Sequence, residues 1–150
     1  MVRPVEYDNL LANGTFKPAA VSKASIDQFM RSAEEMSTAS KATASAAPRF
    51  TLAYEGMFNV VMAVLEFRGA RPGDSPGHRA TAIQRVAADL GLDWTKQSVL
   101  TRLHDSRNRV TYRQSVPPVT KADADAMYSV LHEMLTAATA LISAQDNSKV

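Results

Sequence analysis

The chain has 150 residues, 45% of them apolar and 21% charged, with a formal net charge of +2. This is the length of one domain with enough apolar content for a single core, and the charges are too few and too mixed for a disordered chain. Cysteine is absent, which excludes disulfides, thiolate catalysis and cysteine-ligated zinc together. The longest apolar stretches, such as Phe58 to Leu65, are interrupted and fall short of the roughly 20 residues of a membrane helix. The first residues (Arg3, Glu6, Asp8) carry no apolar signal core. The expectation is a cytoplasmic protein without a membrane partner.

In chain order, residues 1–21 contain Asn13-Gly14 and Pro18 and read as an extended leader, with Leu10, Leu11 and Phe16 as anchors on the body. From Ser25, a plausible N-cap, the spacing turns helical: Ile26, Phe29, Met30, Ala33 and Met36 follow the i, i+3, i+4, i+7 rule. This helix fades into the small-residue run from Ser37 to Ala47, and Pro48 ends it. A second helix runs from about Arg49 to Phe67 with a broad apolar stripe (Phe50, Tyr54, Met57, Val61, Val64, Leu65) suited to the centre of a bundle. Gly56 within it marks a close helix crossing. Gly69, Pro72, Gly73, Pro76 and Gly77 form a loop. A short helix follows, with Ile83, Val86, Ala87 and Leu90 on one face and Gly91 as its stop.

The fourth helix begins near Trp94, read as a packing anchor, and carries Val99, Leu100, Leu103 and Val110 until Pro117-Pro118. Thr120 followed by Asp123 resembles a capping box. The last helix uses Met127, Leu131, Met134, Leu135, Ala138, Leu141 and Ile142. No strand is convincing. The sequence predicts an all-α bundle of four long helices plus a short one over residues 22–144, with a tail at 145–150.

Function is sought first among familiar chemistries. The histidines are His78, His104 and His132, and none has the Glu three residues before it that a di-iron bundle requires. No metal and no cofactor are expected. Gly69 to Gly77 lacks both phosphate-loop signatures, and no nucleophile elbow is present. Charge is more informative. Residues 92–115 hold five basic groups (Lys96, Arg102, Arg107, Arg109, Arg113) against two acidic ones (Asp93, Asp105) in an otherwise balanced chain. Such a segment attracts phosphate or forms a solvated helix face. Arg102, His104, Arg109 and Arg113 are its candidate phosphate-binding residues. At about 100° per residue, Arg107, Asn108 and Thr111 fall within roughly 60° of His104, bordering the apolar stripe. From that border a guanidinium reaches a cleft and recognises phosphate as a planar bidentate donor.

With Arg107-Asn108 near the end of the penultimate long helix, the layout resembles the HEPN superfamily (higher eukaryotes and prokaryotes nucleotide-binding). The resemblance covers most of the chain, including Phe16-Lys17-Pro18, the helix from Ile26 to Ser40 and the stretch from Arg49 to Gly56. The family motif is Arg, usually a polar residue, then His after four to six positions. Arg107 matches the Arg, Asn108 the polar neighbour, and Tyr112 stands where the His would be. Active members are metal-independent endoribonucleases that work as dimers, so the resemblance implies Arg107, Asn108 and Tyr112 as catalytic positions in a homodimer that contacts RNA. It also implies a role in a toxin–antitoxin or defence system. Tyrosine, with an ordinary pKa near 10, is a poor general base at neutral pH, although it donates hydrogen bonds and stacks on bases. His104, one turn before Arg107, is a spatial alternative. Gln114 stands where some members carry a Tyr that a nucleotidyltransferase modifies. Two other readings stay open. One is a non-catalytic dimerisation module that binds a nucleotidyltransferase partner or a nucleotide. The other makes Arg107 and Asn108 part of a purely structural polar network.

Overall fold

The computed structural model describes residues 3–111 and 118–147, and only the backbone at 109–111 and 145–147. Within those residues the chain forms six helices and one two-stranded sheet: α1 (Val5–Ala12), β1 (Phe16–Pro18), α2 (Lys23–Ala42), α3 (Ala46–Phe67), β2 (Ala70–Pro72), α4 (His78–Asp89), α5 (Trp94–Thr111) and α6 (Lys121–Asn147). The four long helices and the short α4 are those the apolar spacing predicts.

The boundaries follow local chemistry. Ser22, rather than Ser25, caps α2, its hydroxyl accepting from the Ser25 N–H. Pro48 does not end a helix; it lies in the first turn of α3, where its missing N–H would have had no intrahelical partner. Gly91 takes a positive φ of 78° just past α4, a stop that only a residue without Cβ makes cheaply. The Thr120 hydroxyl accepts from the Asp123 N–H at 3.0 Å, half of the expected capping box. The other half is missing because the Asp123 carboxylate pairs with Arg102 across to α5. Helix α6 continues to Asn147, into the segment expected as a tail.

Two expectations are corrected. The leader is not extended, since α1 occupies most of it, with Glu6 and Asp8 in its first turn, where they favour the helix dipole. Only Tyr7 of this helix is buried, so it has no apolar stripe to read. The chain also contains strands: β1 pairs antiparallel with β2, Phe16 opposite Pro72 and Pro18 opposite Ala70. Each is three residues long and ends in proline, which masks any alternation. The pairing fastens the leader to the turn after α3, and buried Phe16 follows it into the core.

Helix α3 is the axis of the fold, packed between α2 and α6 and against α4 and β2. Tyr54, Met57, Val60, Val61, Val64 and Leu65 are all fully buried on it. By length and composition it is also the one described helix long and apolar enough to cross a bilayer, and 61% of that stretch is buried inside the fold. Gly56 occupies the crossing it was expected to mark: a Cβ there would stand 2.9 Å from Leu131 Cδ2 and 3.2 Å from Met36 Cβ.

Candidate phosphate-binding site

Three helices meet at one end of α5. Helix α3 contributes Tyr54, Glu55 and Phe58, one turn of its length. Helix α4 contributes Arg79 from its first turn, and α5 contributes His104, Arg107 and Asn108, again within about one turn. The α5 backbone is launched by Asp93, whose carboxylate accepts the Lys96 N–H at 2.9 Å, and by Leu92, buried beneath it. Trp94 is not the anchor: it is 80% exposed, because it lies more than about 100° around the helix from Leu100 and Leu103, which define the inward face.

His104 is drawn inside. It is only 5% exposed, its Nδ1 lies 2.9 Å from the Tyr54 phenol oxygen, and its Nε2 lies 3.2 Å from Asn108 Nδ2. With the Asn108 amide donating to Nε2, the neutral ring carries its proton on Nδ1 and donates it to Tyr54. The two rings are stacked at 6.0 Å. Burial pushes the imidazole pKa below its ordinary value; Asp105 opposes this, and Arg79 and Arg107 reinforce it. Burial likewise raises the Tyr54 phenol, against the pull of Arg79 and Arg107. Both groups are therefore neutral at pH 7. His104 is a linker between α3 and α5, with both nitrogens occupied, rather than a surface contact for phosphate.

Arg107 occupies the rim. Its guanidinium carbon is 4.9 Å from the Tyr54 ring centroid, and NH2 donates to Glu55 Oε1 at 3.2 Å. The side chains of Arg107 and Glu55 are 27% and 37% exposed, so the pair borders solvent. Asn108 orients His104 and thereby continues the network from Tyr54 to the rim. Of the other basic candidates, Arg102 is tied to Asp123 at 3.0 Å, leaving it outside the cluster. The side chain of Arg109, together with Tyr112 and Arg113, lies outside the described residues. A small cavity of about 90 Å³ between α4 and α5, lined by Gln84, Thr101, His104 and Asp105 among others, opens beside the imidazole.

Sequence reasoning missed Arg79, and took Tyr54 only as core and Glu55 only as part of a similar stretch. Arg79 lies 3.7 Å from the Phe58 ring centroid and 5.4 Å from that of Tyr54. Nothing in the sequence couples position 79 to position 54; only the packing of α4 on α3 does. Among the described residues no group of three or more His, Asp or Glu is placed to hold a metal ion. Comparison with protein-family models, with curated proteins and with solved structures yields no match for this chain.

Proposed function

We propose that this chain is an RNA-interacting helical bundle of HEPN type that engages RNA through its phosphates at Arg107, as a homodimeric component of a toxin–antitoxin or defence system. One observation carries the reading: Arg107 is braced on an aromatic ring at a solvent border, with one partly exposed carboxylate as its partner among the described residues. An arginine held this way keeps N–H donors available for a phosphate, the anion its planar fork fits. The basic excess of α5 and the place of Arg107-Asn108 near its end support the same reading.

The cleavage chemistry belongs to the motif positions Arg107, Asn108 and Tyr112, with Arg107 on the scissile phosphate. It is tested by incubating wild type, Arg107→Ala and Tyr112→Phe with mixed tRNA and mRNA in EDTA. Cyclic-phosphate ends made by wild type and lost in Arg107→Ala establish a metal-independent endoribonuclease. RNA binding without cleavage leaves a non-catalytic RNA binder, whereas the second reading is a non-catalytic module for a nucleotidyltransferase partner or a nucleotide. That reading is favoured by His104, whose imidazole is buried, neutral and fully engaged. Absence of both RNA binding and cleavage in a folded protein refutes the RNA reading.

A further inference from the structure

We infer that Arg79 is the second cation of the phosphate site and that Glu55 is the anion a phosphate displaces from it. The inference rests on the reading of Arg107 as a phosphate ligand and extends it to two residues on other helices.

Arg79 differs from the other arginines whose side chains are described. Arg3, Arg49, Arg68, Arg85, Arg102 and Arg107 each pair with a carboxylate. Arg31 and Arg71 are exposed to water. Arg79 is partly buried and has no carboxylate partner among the described residues; its Nε, like those of Arg49 and Arg85, is buried without a hydrogen-bond partner, while its guanidinium also hydrogen-bonds the Tyr54 phenol. At 3.7 Å from the Phe58 centroid the guanidinium lies over the ring, and such stacking leaves its N–H groups directed sideways in the plane of the fork. Arg79 and Arg107 stand against the same Tyr54 ring, which groups the two cations around one side chain. Both also act electrostatically on His104, which marks a shared positive field.

Against these two cations the described cluster sets the single carboxylate of Glu55. Its contact with Arg107 is one N–H···O bond at 3.2 Å between partly exposed groups, a kind of pair that contributes little and exchanges readily. A phosphodiester offers two oxygens in bidentate geometry and so competes with it. Glu55 thus occupies the place of the phosphate while the site is empty, lowering the affinity for weak anions and yielding to RNA.

The test uses a short fluorescein-labelled oligouridylate and the full chain, with affinity followed by anisotropy over a range of salt. Arg79→Gln and Arg107→Ala should each weaken binding roughly tenfold or more and each reduce the slope of log affinity against log salt by about one. Arg79→Lys, which keeps the charge and the bulk, should retain the slope but lose part of the affinity, separating a phosphate ligand from a packing residue. Glu55→Gln should tighten binding severalfold in wild type and have no effect in the Arg107→Ala background. Unchanged affinity and slope in folded Arg79→Gln, with Arg107→Ala still impaired, overturns Arg79 as a ligand while leaving Arg107 in place. Unchanged affinity in Glu55→Gln overturns the displacement. Failure of wild type and Glu55→Gln alike to bind the oligouridylate removes this inference and the RNA reading with it.

Discussion

Two tyrosine-centred polar networks flank α3, and they are built to opposite ends. At the leader, the Tyr7 phenol donates to Asp89 Oδ2 at 2.7 Å, and Arg68 grips both oxygens of the same carboxylate at 3.0 and 2.9 Å. The Arg68 and Asp89 side chains are only 9% and 4% exposed, and burial with the adjacent Asp89 charge drives the Tyr7 phenol far above its ordinary pKa. Every charge there is matched inside the fold. At the end of α5, Tyr54 is just as buried, but its network runs through His104 and Asn108 toward a rim where Arg107 meets solvent. A polar cluster that closes on itself fixes a chain segment, here the leader against α4. One that ends in a braced, weakly paired cation has binding capacity left over.

The largest test of this contrast lies on the closed side. Asp89→Ala removes the buried carboxylate that Arg68 grips with two hydrogen bonds, and should cost about 3–5 kcal/mol in urea unfolding. RNA affinity of the remaining folded protein should be unchanged. Between the networks, Gly56→Val overfills the α2–α3–α6 crossing and should cost about 1–3 kcal/mol, read as a lower thermal midpoint.

On the open side the effect is a pH dependence. The folded-state pKa of His104 lies below its ordinary 6.5, so the unfolded chain takes up the proton first. The stability from the neutral buried ring is therefore present above about pH 6.5 and lost as pH falls below it. His104→Gln should flatten that acid limb of the thermal midpoint; an unchanged limb would place the imidazole in a solvated state. The smallest effect comes from Thr120→Ala, which removes the cap of α6 and should cost about 1 kcal/mol, with no change in RNA affinity.

Much of this fold was legible in the sequence, and the residues say why. The five helices of the body were found because each presents an apolar stripe toward α3 or is bounded by a recognisable signal, such as Gly91 after α4 or Thr120 before α6. Helix α1 escaped because it buries one side chain, and the strands escaped because proline ends both. The site was half legible. Arg107 and Asn108 stood out through the charge of α5 and their place on the helix, and the angular position of His104 beside Leu100 was visible. Its burial was not, since that depends on Tyr54 reaching it from a helix 50 positions earlier. Arg79 was invisible for the same reason, and Trp94 was misread because its size was weighed ahead of its angle from the inward face.

The central claim, that the network at the end of α5 is a binding site rather than a second structural clasp, is tested most directly by one variant measured twice. Arg107→Ala is compared with wild type for thermal stability and for affinity toward single-stranded RNA in the same buffer. The account predicts a stability change of less than about 1 kcal/mol, as for an exposed ion pair, together with a loss of RNA affinity and a shallower salt dependence. A substantial drop in stability with RNA affinity unaltered would contradict it and make the Arg107 cluster a counterpart of the Arg68–Asp89 clasp.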